Sequence, residues 1–203
     1  MRIVAPSYRD RVTIVGKTGS GKTTLAQQLL QPRPHVVVYD AKGLLQWPGY
    51  TRFDKLDDCI YAKSNVTPKI IYAPRHSELI NFDVINRFFQ WLYLRENTTV
   101  YVDEVYSVCH RGEIPTFYHA LLTRGRELNL STFSSTQRPK QIPAVVLSES
   151  EHYYVFQLML PQDRQRIREM LPVTDEQLRG LRGHQFFYAT ADGAMMGPAT
   201  LQV

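Results

Sequence analysis

Cysteine is nearly missing. Cys59 and Cys109 are the only two in 203 residues, far apart and without a neighbouring His at ligand spacing, which excludes a disulfide framework and argues against a zinc site. His110 adjoins Cys109, but adjacency is not ligand spacing. No run of about eighteen apolar residues is present to cross a bilayer, and Arg9, Asp10 and Arg11 interrupt the N-terminus before a signal-peptide core could form. The expectation is a chain with no transmembrane segment, in a reducing compartment. Internal repeats, low-complexity tracts and linker-like stretches are also lacking.

What remains is ordinary globular material. Apolar residues make up 43% of the chain and charged ones 21%, enough to bury a core and too apolar for disorder. The length suits one α/β domain spanning residues 1–203 better than two. Twenty-four Lys and Arg against nineteen Asp and Glu leave a net charge of +5. That excess suits a polyanionic partner without requiring one.

Short β-rich runs alternate with helical stretches, which predicts strand–helix–strand crossovers and a mostly parallel sheet. Strands are expected at 12–15, 36–39, 70–72, 98–102, 130–134 and 153–160. Leu25, Ala26, Leu29 and Leu30 share a helical face that Pro32 and Pro34 terminate. Phe82, Ile85, Phe89 and Leu92 recur at steps of three and four, predicting a helix to about Arg95. Residues 50–66 show no period and are expected as loop with at most a short helix. Another helix follows around Phe117, Ala120 and Leu121, a basic helix over 161–171, and a final hairpin turns at Ala191-Asp192-Gly193.

Between the first strand and helix, Gly16-Lys17-Thr18-Gly19-Ser20-Gly21-Lys22-Thr23 fits the phosphate-loop pattern G-x-x-x-x-G-K-[ST]. Glycines let successive N–H groups curl towards a β-phosphate, and the helix N-terminus adds partial positive charge. Lys22 would sit on the β and γ phosphates of ATP. Thr23 would offer its hydroxyl to Mg²⁺, and Thr24 would continue the site as helix scaffold. Thr99-Val100-Tyr101-Val102 then delivers Asp103 and Glu104 at a strand's C-terminal end, where open parallel sheets bind ligands. Asp103 would hold Mg²⁺ through water, and Glu104 would polarise an attacking water.

A third and fourth segment carry a resemblance. Arg126 to Pro139, with a strand ending in Thr136-Gln137-Arg138-Pro139, and Val38-Tyr39-Asp40-Ala41-Lys42-Gly43 resemble motifs of the HerA/FtsK superfamily of DNA-pumping ATPases, with Ala41 in place of that family's usual Pro. Four motifs thus occur in the family's order over residues 11–140. The resemblance implies a RecA-like P-loop fold with a mostly parallel central sheet flanked by helices and a C-terminal β-hairpin. It implies that Gln137 orients the attacking water, and that Arg126 or Arg124 reaches a neighbouring subunit's nucleotide as an arginine finger. Asp40 and Lys42 read equally well as a turn after a strand. Lys17 also invites comparison with partitioning ATPases of the ParA and MinD type, which have Gly where Thr18 stands.

Only about ten residues are expected before the first strand, so within the superfamily the chain resembles the compact genome-packaging ATPases of tailless icosahedral DNA viruses. The expectation that follows is a single motor domain over 1–203 that assembles into a homo-oligomeric ring, pentamer or hexamer, and drives double-stranded DNA. Its other partners would be viral capsid or portal-vertex proteins, at the packaging vertex of the virion and in the host cytoplasm. A DNA pump of conjugation, repair or partitioning, a small-molecule P-loop kinase and a nucleotide-gated scaffold are the rival expectations. Candidate DNA contacts are Arg52, Lys55, His110, Arg111, Arg138 and Lys140, with a C-terminal group of Arg164, Arg166, Arg168, Arg179 and Arg182. In that group Arg164 and Arg168 share a helical face by spacing.

Overall fold

A computed structural model describes residues 5–62, 67–109 and 112–202. Along the chain run β1 (Arg11–Val15), α1 (Lys22–Leu30), β2 (Val36–Tyr39), β3 (Thr51–Phe53), α2 (Leu56–Tyr61), β4 (Lys69–Tyr72), α3 (His76–Leu79) and α4 (Phe82–Tyr93). They are followed by β5 (Thr99–Val102), α5 (Thr116–Arg124), β6 (Ser131–Thr136), α6 (Ala144–Ser148), β7 (His152–Phe156), α7 (Pro161–Arg168), α8 (Asp175–Gly180), β8 (Gln185–Thr190) and β9 (Met195–Thr200).

These strands form one nine-stranded sheet in the order β3-β4-β2-β5-β6-β1-β7-β8-β9. From β3 to β7 all neighbours are parallel, and β8 and β9 close the edge antiparallel. The architecture is therefore the expected α/β fold with a mostly parallel sheet and a C-terminal hairpin. Its central strands β1, β2, β5 and β6 are buried at every residue. That is why β1, β2 and β5 read as near-continuous apolar or β-branched runs and not as alternation; β6 is equally buried but has Phe133 as its one large apolar residue.

Both faces of the sheet are covered. On one, Val37, Tyr39, Val100 and Val102 pack against Phe88, Phe89 and Leu92 of α4 and Leu121 and Leu122 of α5. On the other, Val12, Ile14, Val38, Tyr101 and Phe133 meet Leu25, Ala26 and Leu30 of α1, with Trp47 and Leu201. Leu158, Ile167 and Leu178 extend the first layer over β7 and β8. The Asn81 side chain accepts from Asp83 N and Val84 N and so starts α4.

Three expected segments differ most. Within 50–66, the described part contains β3 and α2; β3 is a three-residue edge strand with its first two residues exposed, so it has no apolar run to announce it. The strand expected at 153–160 ends at Phe156, because pairing with β8 stops at Phe156↔Phe186 and Pro161 opens α7. The basic helix ends at Arg168, not at Leu171.

Candidate nucleotide site

The strand order decides the site. β6 lies between β1 and β5, so the phosphate loop after β1, Gln137 after β6 and Asp103-Glu104 after β5 emerge side by side at the C-terminal edge. Register refines this: Val15 pairs with Thr136, and Val102 with Ser134.

Two glycines of the loop are required sterically. A Cβ at Gly16 would lie 2.6 Å from Phe156 Cβ and 2.7 Å from Ser20 Oγ. Gly21, which starts α1, has φ 102°, a left-handed conformation that disfavours a side chain. Lys22 Nζ donates to Gly16 O at 2.8 Å and to Lys17 O at 3.0 Å, curling the ammonium across the mouth of the loop. Burial pulls the Lys22 ammonium down to about 8; the Glu104 charge opposes the shift and the Lys42 charge adds to it.

Around the loop a cleft of about 330 Å³ is lined by Thr18, Gly19, Gly21, Lys22, Thr23, Thr24, Lys42, Asp103, Gln137 and His184. Thr23 Oγ1 donates to Asp103 Oδ1 at 2.9 Å, and Tyr101 OH donates to the same oxygen at 2.7 Å. Thr18 Oγ1 donates to Gln137 Oε1 at 2.6 Å. Glu104, next to Asp103 and close enough for its charge to act on Lys22, accepts a 2.8 Å bond from Thr136 Oγ1. Burial raises its carboxyl, against the Thr136 bond and the charges of Lys22 and Lys42. Of the other loop residues, Gly16 and Ser20 are buried, and Lys17 lines an adjoining hollow with Thr18 and Gln137.

Arg126 and Arg124 are not brought to this cleft. Arg126 lies before the start of β6, and its Nη2 donates to Glu151 Oε1, an oxygen that Arg11 Nη2 also binds. This cluster sits at the N-terminal edge of the strands. Six residues of β6 at about 3.3 Å each separate it from Gln137, about 20 Å in all, too far for Arg126 to touch its own chain's phosphate loop. Arg124 is exposed at the end of α5.

Among the weaker motif residues, Lys42 lines the cleft while Asp40 turns away, accepting from Gly43 N at 3.0 Å and Leu45 N at 2.7 Å. Sequence reasoning missed Tyr101, Thr136 and His184. A strand's period of two signals Tyr101, since it shares a face with Asp103; nothing local signals His184, which folds in from the start of β8.

Of the basic candidates, His110 and Arg111 lie outside the described residues. Arg164 is corrected: it is buried and bonded to Asp175, Leu158 O and Met159 O. Arg164 and Arg168 therefore do not offer a common surface, because only Arg168 is exposed. Arg52 is bonded to Gly43 O, and Arg138 is paired with buried Asp163 at 2.9 Å.

No protein-family model matches the chain. The DNA packaging ATPase P9 of Enterobacteria phage PRD1 is 30% identical over 184 residues, which span 88% of this chain and 77% of P9. In fold, the genome packaging NTPase B204 from Sulfolobus turreted icosahedral virus 2, in complex with ATP-gammaS, superposes with a TM-score of 0.80 at 16% identity, covering 97% of this chain and 100% of B204. The DNA-packaging ATPase B204 from Sulfolobus turreted icosahedral virus superposes at 0.75 with 17% identity, covering 98% and 100%. With a phosphate loop beside Asp103, Glu104 and Gln137, and with this identity to P9 across most of both chains, the chain belongs to the family of viral DNA-packaging ATPases.

Proposed function

We propose that this chain is an ATP-hydrolysing motor that drives viral double-stranded DNA into a preformed capsid. What carries the reading is the convergence of Lys22, Glu104 and Gln137 on one strand edge, in a relative of a packaging ATPase. That relationship favours packaging over a conjugative or repair pump, a small-molecule kinase or a scaffold.

Each residue has a task its surroundings fit. Main-chain N–H groups of Gly19 to Thr23 and the N-terminus of α1 receive the phosphates. Lys22 exchanges its two carbonyl partners for phosphate oxygens. Glu104, oriented by Thr136, polarises the attacking water. Gln137 has its oxygen engaged by Thr18, which leaves its amide nitrogen to donate near the γ-phosphate. Mg²⁺ fits the Thr23–Asp103 pair, since the ion takes one or two protein oxygens and completes its shell with phosphate and water. Among the described residues no group of three His, Cys, Asp or Glu could hold a metal by itself, so the ion would arrive with the nucleotide and neutralise phosphate charge.

Arg126 is exposed and out of reach of its own loop, which supports a role on a neighbour's nucleotide in a homo-oligomeric ring. Its exposed guanidinium also satisfies Glu151 in the free subunit. Lys140 and Arg138, just past Gln137, are the basic residues best placed to feel nucleotide state and to meet a DNA backbone. Among the described residues all nine strands share one sheet, in keeping with a single motor domain. Capsid or portal-vertex proteins, a virion vertex and the host cytoplasm complete the reading. Among the described residues no helix is long and apolar enough to cross a membrane.

Steady ATP turnover with and without duplex DNA tests the reading. Duplex should stimulate turnover, and Glu104→Gln should bind ATP while hydrolysing it at least about a hundredfold more slowly. Turnover indifferent to duplex would remove the motor, and a wild-type rate in Glu104→Gln would remove the site assignment.

A further inference from the structure

His184 lines the cleft and has no task in the reading above. It precedes β8 and shares the lining with Gly21 and Thr24. Its Nδ1 is buried without a hydrogen-bond partner, a costly state for an imidazole nitrogen beside a polar cleft. The ring lies close over the loop: a methyl group added at Gly21 would come within 3.1 Å of Nδ1.

Its position is built. His184 O accepts from Leu201 N at 3.1 Å, and Leu201 is anchored in the core with Leu25 and Leu30 of α1. Around it, Gln185 N donates to Arg182 O at 3.0 Å and Arg182 N to Gln185 Oε1 at 3.0 Å, closing a turn that presents the imidazole. The hairpin thus holds His184 against the start of the phosphate-binding helix.

The cleft has a direction. Asp103 and Gln137 mark the end where the γ-phosphate reacts, and the loop amides take the β-phosphate. Of the rest of the lining, Thr24 at the start of α1 and His184 beside it mark where the α-phosphate and the nucleoside would leave the loop. From this geometry we propose that His184 recognises the nucleoside part of the nucleotide, through a hydrogen bond from its imidazole to the ribose or the base. The inference rests on the cleft being the nucleotide site and adds a nucleoside-recognising residue to it. It also gives the C-terminal hairpin a function: β8 and β9 carry a wall of the site that none of the four sequence motifs contains.

The test compares equilibrium binding of ATP with that of inorganic tripolyphosphate, which has the anionic chain and no nucleoside, both with Mg²⁺. In His184→Ala the ATP dissociation constant should rise about tenfold, the loss of one hydrogen bond, while tripolyphosphate binding stays unchanged. His184→Asn, which keeps a donor and an acceptor, should recover part of the difference. Equal weakening of both ligands would mean that His184 only supports the loop, and unchanged ATP affinity would exclude contact; either overturns the inference. Lys22→Ala should weaken both ligands. If wild-type protein binds neither, the nucleotide reading of the cleft fails first and this inference goes with it.

Discussion

Burial governs the behaviour of Lys22. Its ammonium is drawn down to about 8 from an ordinary 10.5, since only two carbonyls and nearby carboxylates replace its water. The cost of burying that charge is fully present below pH 8 and is relieved as pH rises from 8 to 10.5, so this group alone makes the free protein more stable across that window. Nucleotide binding runs the other way, because a triphosphate favours the charged form. ATP binding at pH 8 should therefore take up about half a proton, and affinity should fall as pH rises through 8. Calorimetry in buffers of different ionisation enthalpy reads this directly, and a buffer-independent enthalpy would contradict it. At this scale the phosphate loop and the acidic pair are legible in the sequence, because their chemistry lies in contiguous residues. Tyr101, Thr136 and His184 are less so, since their roles depend on atoms contributed by other segments.

Helix α4 shows how an element is held to the sheet. Phe89 is fully buried and stacks on Tyr118 of α5 with ring centroids 4.6 Å apart. It also meets Phe88 edge-on at 5.2 Å and Tyr39 of β2 at 6.4 Å. Phe89→Ala should cost about 3–5 kcal/mol, because the surrounding rings cannot collapse into the gap. Denaturant unfolding should report a lower midpoint with an unchanged slope; a loss under about 1 kcal/mol would mean that the layer is loosely packed. The period of this helix is plain in the sequence. Strand β3 is not, because a short, partly exposed edge strand exists by pairing with β4 and not by burying a pattern of its own. The end of β7 escaped for a similar reason: Leu158, in the loop leading to α7, is buried against Ile167 and Leu178, so an apolar run outlasts the strand.

For the whole molecule the sheet separates two chemistries by its own width. One edge carries the cleft; the other carries Arg11, Glu151 and Arg126. A ring could bring the second edge of one subunit to the first edge of the next, and mixing tests it. Arg126→Ala and Glu104→Gln proteins, each nearly inactive, should regain turnover when combined, since an Arg126→Ala subunit keeps an intact site and can receive Arg126 from a Glu104→Gln neighbour. Turnover equal to the sum of the separate proteins would assign Arg126 to structure through Glu151. Circular dichroism of each variant guards against simple misfolding.

The amino-acid order by itself determined the phosphate loop, the acidic pair, the alternation of strands and helices and the family resemblance, because each is written in neighbouring residues or in a short period. Tertiary structure decided the rest. It inserted β6 between β1 and β5, which puts Gln137 and Thr136 beside Asp103 and Glu104. It buried Arg164, left Arg126 on the far edge and brought His184 to the cleft from the C-terminal hairpin. Those outcomes depend on which strands pair across long stretches of chain, and pairing is selected by the joint burial of both sheet faces, a property that no single segment carries.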